Sequence, residues 1–257
     1  MSIDQRAVID PSAHIADDVS IGAFSIIGAD VEIGEGTVIG PHVVINGPTR
    51  IGRNNHFFQF SSIGEVPQDK KYHGEDSRLE IGDGNTIREF VTINRGTDDG
   101  GGVTRIGNDN WLMAYIHIAH DCLVGNNTIF ANGASLAGHV EIEDYVILGG
   151  FTLVHQFTKI GIGAFCGMGS TVSKDIPPYV MVSGNPASPY GINSEGLKRR
   201  QHSKEAIQAV KAAYKTLYRS GHTLDEAKQH LRLLAEQHPE VQPMLDFLNR
   251  SQRGILR

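Results

Sequence analysis

The chain has 257 residues, a net charge of −6, 40% apolar and 20% charged side chains, a balance that supports a packed core and argues against disorder. The acidic charge excludes a general nucleic-acid binder, and two cysteines, Cys122 and Cys166, exclude a disulfide framework and suit a reducing compartment. No run approaches the ~18 apolar residues of a membrane span, and MSIDQRAVID has neither the basic nor the apolar region of a signal peptide, so a cytoplasmic location is expected.

Glycine stands out, at 30 residues. Large apolar residues recur with a period of six. Ile9, Ile15, Ile21, Ile27, Ile33, Ile39, Ile45, Ile51, Phe57 and Ile63 follow one another at that interval. The frame fails at Asp69 and Glu75, resumes at Ile81, Ile87 and Ile93, and slips at Gly100-Gly101-Gly102. A second run then extends from Ile106 through Leu112, Ile118, Val124, Phe130, Leu136, Ile142, Leu148, Val154, Ile160 and Cys166 to Val172. Chance placement of so many apolar residues has a probability on the order of 10⁻¹⁰. Gly often follows the apolar residue, as at 22, 28, 34 and 40, and a small or β-branched residue often lies four after it.

Neither a helix nor a plain strand has a period of six. A parallel β-helix with three short strands per coil does, each hexad giving one large inward residue and a turn where Gly is convenient. Residues 18 apart then stack at about 4.8 Å. The hexads end before Pro177, Pro178 and Pro189. Helical spacing follows in Ile207, Val210, Tyr214 and Leu217 after Ser203, with Gly221 as a C-cap. Thr223-Leu-Asp-Glu226 reads as a capping box, and Pro239 suits the first turn of a further helix through Met244, Phe247 and Leu248. Two domains are expected: a hexad β-helix over 1–190 with two loop excursions, and an α-helical domain over 191–257.

Stacking at 18 residues puts His120, Gly138 and Gln156 on one azimuth of successive coils, with His117, His139 and His155 beside them. Such a cluster marks a reactive site more than a solvated wall. A Zn²⁺ site is the rival reading, as in γ-class carbonic anhydrases, but the spacing offers no obvious tetrahedral set. Asp121 is not expected to orient His120, because neighbours on a strand point to opposite faces. Cys122 and Cys166 fall in the inward phase and read as core.

The segments HIAHDC (117–122), LAGHVEI (136–142), VHQF (154–157), GINSEGLKRR (191–200) and QDKKYHGE (68–75) resemble the acyl-[acyl-carrier-protein]–UDP-N-acetylglucosamine O-acyltransferases, the first acyltransferases of lipid A synthesis, across essentially the whole chain. That resemblance implies a left-handed coil and a homotrimer with sites between neighbouring solenoids. It also implies a (3R)-3-hydroxyacyl donor on acyl carrier protein and UDP-N-acetylglucosamine as acceptor, with no cofactor and no metal. His120 matches the catalytic histidine, and the Gly138 N–H can meet an oxyanion. Asp69, Lys71, His117, His139, Gln156, Asn193, Glu195, Arg199 and Arg200 match positions that bind acceptor or product, the two arginines suiting a diphosphate. Lys198, Arg199 and Arg200 form a basic point for an acidic carrier protein. Met168 matches the position that limits acyl length, where long-chain versions carry Gly, and implies a donor of about ten carbons. Another hexapeptide acyltransferase, N-acyl or CoA-dependent, is the alternative, followed by a metal enzyme or a non-catalytic scaffold.

Overall fold

The computed structural model describes residues 2–257. Two-residue strands follow one another at the hexad interval, from Ser2–Ile3, Val8–Ile9 and His14–Ile15 onward, and sort into three parallel sheets of eleven, nine and eight strands. These are the three faces of a prism. The first face runs from Ser2–Ile3 to Val180–Ser183, closed by the antiparallel Ser188–Ile192; the second runs from Val8–Ile9 to Thr171–Val172; the third runs from His14–Ile15 to Lys159–Ile160. Coils pair in the expected register, with Ile21 beside Ile39 and Ile27 beside Ile45.

The frame residues fill the axis. Ile27, Ile45, Phe57, Ile93, Leu112, Phe130, Leu148 and Ile160 are all buried, as are Cys122 and Cys166. Polar groups also enter the core, in a ladder at the edge between the third and first faces. There Asn85 donates to Asn55 Oδ1 at 2.9 Å, its own Oδ1 accepts the Asn110 N–H at 3.0 Å, and Thr128 donates to Asn110 Oδ1 at 2.7 Å. Each buried amide is satisfied within the stack, which keeps its desolvation from being a net cost.

The role expected of glycine needs correction. Gly after the apolar residue, as at 22, 28, 34 and 40, is not a left-handed turn residue. It is there because the next coil is close: a Cβ on Gly22 would lie 2.7 Å from the Gly40 carbonyl carbon, and one on Gly40 2.9 Å from Phe57 O. The left-handed residue comes two positions later and is often not Gly, as at Phe24, Asp30, His42, Phe60, Asp121, His139 and Tyr145. That conformation ordinarily disfavours a Cβ. Stacking of equivalent corners holds it, as in the Phe24–His42–Phe60–Phe90–Tyr115 ladder, whose ring centroids are 4.8–5.4 Å apart along the edge between the first and second faces.

The frame failures are loops that leave the prism and return in register. Residues 66–77 separate Ser62–Glu65 from Arg78–Ile81, and 95–102 separate Thr92–Asn94 from Val103–Ile106. Pairing therefore steps from Phe57 to Ile87 to Leu112 without disturbing the column. Both loops emerge at the edge between the second and third faces.

The helical domain comprises α1 (Ser194–Arg199), α2 (Lys204–Tyr218), α3 (Leu224–Gln237) and α4 (Gln242–Arg250), the last after a 3₁₀ turn over Pro239–Val241. Ser203 caps α2, and Thr223 and Glu226 form the capping box of α3. Gly221 (φ +71°) lies two residues past the C-cap of α2, Arg219, and not at the cap. Asp175 ties the tail to the last coil: Ser251 and the Lys159 N–H both donate to its carboxylate. The strand Ser188–Ile192 crosses the division expected at 190/191.

Candidate active site

The edge between the second and third faces carries the histidines. Three successive corners there, 119–122, 137–140 and 155–158, present His120, Gly138 with His139, and His155 with Gln156. The coil register places them one above another. His139 takes the left-handed corner position and stacks on Phe157 with centroids 4.4 Å apart; it meets His120 edge-on at 5.1 Å. Gly138 must be Gly, because a Cβ would lie 2.6 Å from His120 Cε1. Among the described residues none accepts the Gly138 N–H.

Asp121 corrects the expectation from strand alternation. His120 Nδ1 lies 2.7 Å from Asp121 Oδ2. Alternation holds for extended residues, but Asp121 is a corner residue (φ +59°), so its side chain is free to turn beside that of His120. The carboxylate is otherwise sequestered. Thr97 donates to it from its N–H at 2.8 Å and its hydroxyl at 2.6 Å. Burial acts to raise the Asp121 pKa, but hydrogen bonds from His120 and Thr97 outweigh it and hold the carboxyl below its ordinary value. An anionic Asp121 only accepts, so the His120 proton sits on Nδ1 and Nε2 presents a lone pair.

Thr97 carried no sequence signal. It stands in the loop 95–102, whose glycines let the chain close on the carboxylate: Cβ atoms on Gly96 or Gly100 would collide with Asp121. The other loop brings Asp69 Oδ2 to 3.9 Å from His120 Nε2. Asp69 also accepts the Lys71 N–H, and both residues line a cavity of about 490 Å³ with Tyr72, His73, Thr97 and Asp98. His117 faces Thr92 Oγ1 at 2.8 Å, while Gln156 and His155 are exposed.

The residues expected to bind the diphosphate end lie elsewhere on the chain. Arg200 packs against the edge between the third and first faces, its guanidinium over the rings of Tyr145 (5.0 Å) and Tyr179 (5.6 Å). Gly163 admits it, since a Cβ there would collide with the guanidinium. Burial lowers the Arg200 pKa, and the two tyrosines oppose that shift. Arg199 is exposed. Asn193 is committed within the chain, capping α1 through Gly196 N–H and donating to Gly163 O. Glu195 pairs with Lys198 at 2.7 Å, so the basic point expected of Lys198, Arg199 and Arg200 is not one patch. Met168 projects from the third edge, between the first and second faces, and is 79% exposed.

His120, Asp121 and His139 each offer a ligand atom, all within 4.8 Å of one another, a grouping that the spacing had not suggested. No helix among the described residues is long and apolar enough to cross a membrane.

A prism of hexad coils with a histidine wall and a helical end domain defines a hexapeptide-repeat transferase. The bacterial transferase hexapeptide family matches residues 12–47 and 104–138, and the family described as UDP N-acetylglucosamine O-acyltransferase, domain 2, matches residues 175–256. An acyl-[acyl-carrier-protein]–UDP-N-acetylglucosamine O-acyltransferase of Thiobacillus denitrificans is 61% identical over 100% of this chain and 99% of its own, and one of Halorhodospira halophila is 58% identical over 99% of each. Among solved structures, LpxA of Acinetobacter baumannii superposes with a TM-score of 0.97 at 50% identity over 99% of each chain. The UDP-N-acetylglucosamine O-acyltransferase of Moraxella catarrhalis gives 0.98 at 48% over 100% of each. This chain belongs to the acyl-[acyl-carrier-protein]–UDP-N-acetylglucosamine O-acyltransferase family, and its solenoid is the left-handed β-helix.

Burial, and secondarily the neighbouring His120, lower the His117 pKa below 6.5. The unfolded chain then binds the proton first, so the contribution of His117 to stability is intact above about pH 6.5 and is lost as pH falls from there toward the lowered folded value. Urea unfolding between pH 7.5 and 5 should show this fall, and His117→Gln should flatten it. An unchanged slope in the variant would count against a desolvated His117.

Proposed function

We propose that this chain moves a (3R)-3-hydroxyacyl group of about ten carbons from the phosphopantetheine thioester of acyl carrier protein to the 3-hydroxyl of UDP-N-acetylglucosamine, with His120 as general base. The activity itself, acyl transfer from acyl carrier protein to UDP-N-acetylglucosamine in the first step of lipid A biosynthesis, is that of the family. The observation that carries the mechanism is the 2.7 Å contact of His120 Nδ1 with an anionic Asp121, which leaves Nε2 able to accept.

A sugar hydroxyl is a weak nucleophile near neutral pH. His120 Nε2 takes its proton as the oxygen attacks the thioester carbonyl carbon. The carbonyl oxygen becomes an oxyanion, for which the unpaired Gly138 N–H beside His120 is a fitting donor. Asp121 steadies the imidazolium in between. The C–S bond then breaks, and the proton on Nε2 passes to the departing thiolate. The sequence needs no covalent enzyme intermediate and no metal or redox cofactor. Asp69, Lys71, His117, His139 and Gln156 surround this centre as acceptor contacts.

The separation of the parts supports a homotrimer. His120, Arg199 with Arg200, and Met168 belong to three different edges of one prism, so one site containing all three needs edges from different protomers. The exposed aromatic ladder of Phe24, Phe60, Phe90 and Tyr115 also supports assembly. Within such a groove the diphosphate meets Arg199 and Arg200 of a neighbour, with Asn193 holding α1 in place beside Glu195. The acidic carrier protein is placed by local basic groups, and the site works in the cytoplasm.

The decisive assay supplies UDP-N-acetylglucosamine with hydroxyacyl carrier protein and looks for the ester. His120→Ala should reduce turnover by at least ~10²-fold in a folded chain, and near-normal activity would remove His120 from the role. Chains carrying His120→Ala and chains carrying Arg199→Ala with Arg200→Ala should regain activity when co-assembled, which neither parent shows. No recovery in proven mixed oligomers would sink the shared groove.

Acyl length tests Met168. A Met side chain adds about four heavy atoms over Gly, and each buried methylene contributes about 0.8 kcal/mol, so a blocked groove discriminates sharply. Wild type should prefer a donor of about ten carbons to one of about fourteen, and Met168→Gly should gain activity with the longer donor. A wild-type preference for the longer chain would overturn the assignment.

A further inference from the structure

Three donors of unlike parentage converge beside the general base. Asp121 Oδ2 lies 2.7 Å from His120 Nδ1 and 3.7 Å from His139 Nε2, and one ligand atom of each residue falls within 4.8 Å of the other two. A tetrahedral zinc ion with ligands about 2.0–2.1 Å away spaces its donors about 3.3 Å apart, a value these two distances straddle. The donor set, two imidazoles and one carboxylate, suits a borderline divalent ion. Two of the donors are already held by neighbours: Thr97 donates twice to Asp121, and Phe157 stacks on His139. The His120 and His139 side chains keep 14% and 18% exposure, so solvent reaches the cluster.

The geometry points to a latent zinc site at His120, Asp121 and His139 that inhibits the enzyme. The inhibitory half rests on His120 as the base; the binding half does not. Ligation at Nδ1 displaces the proton that Nδ1 holds toward Asp121. In the neutral, metal-bound ring that proton resides on Nε2, reached through solvent, with no net release. Nε2 then donates where catalysis requires it to accept. Zn²⁺ thereby blocks transfer by fixing the wrong tautomer, with no change in fold.

The test uses the full chain, stripped of metal by a chelator and dialysed. Zn²⁺ titrated by calorimetry should bind at one ion per chain, and Co²⁺ in its place should give tetrahedral absorption bands. The imidazole ¹⁵N signals of His120 and His139 should shift in the wild-type chain, which needs no variant. His139→Gln should weaken binding by about 10-fold or more. His230→Ala should leave it unchanged; that variant removes the stacked pair of His222 and His230 in the helical domain, the competing imidazole cluster at 4.6 Å. Unshifted His120 and His139 signals, or binding lost in His230→Ala and retained in His139→Gln, would falsify the site. In the ester assay, Zn²⁺ should inhibit over the same concentration range as it binds, reversibly with EDTA. Binding without inhibition overturns the tautomer block alone, whereas absence of ester formation in metal-free enzyme overturns the acyltransfer reading and leaves the metal site standing.

Discussion

Each coil of the prism hands its backbone hydrogen bonds to the next at a fixed offset, as when the Ile26 N–H meets Val43 O at 2.9 Å and the Val44 N–H meets Ser61 O at 3.0 Å. Everything else depends on that register. A parallel ladder tolerates no slip, because a shift of one residue would turn the stacked Ile columns outward. It therefore fixes the azimuth of every corner. Histidines at 120 and 139 are neighbours only because the register makes them so, and the same constraint sets the left-handed corner conformation that stacks His139 on Phe157.

The excursions give this regular scaffold a single irregular place. A solenoid corner alone is shallow and open to water. Loops 66–77 and 95–102 both rise at the edge where His120 stands, and they return in register so that the ladder is preserved. One supplies Asp69 opposite Nε2, and the other buries Asp121 behind Thr97. A carboxylate taken from water is costly unless its oxygens are occupied, and here two groups of Thr97 and the imidazole occupy them. The result is an imidazole whose Nδ1 is held by a buried, hydrogen-bonded carboxylate.

His120, Arg200 and Met168 stand on three different edges of one prism. Arg200 is held in place by two tyrosine rings and the gap at Gly163. The cluster that leaves His120 Nε2 able to accept also has the composition of a metal site, because orientation by a carboxylate and ligation of zinc call for the same arrangement of imidazole and carboxylate.

The sequence by itself determined what repeats or is local. Its period of six specified the coils, the inward phase specified a core that includes Cys122 and Cys166, and the 18-residue stack brought His120, Gly138 and His139 together. Ser203 and Thr223 marked helix starts through short-range hydrogen bonds. Only the tertiary structure decided the role of Asp121. Alternation argued against it, since that rule describes extended residues and Asp121 is a left-handed corner. Thr97 was silent for a related reason: it reaches Asp121 across 24 residues from a loop that obeys no period. Placement of Arg200 on an edge away from His120 likewise emerged only in three dimensions. Periodicity records how each coil meets the next; it carries no information about where a chain that leaves the coil will land.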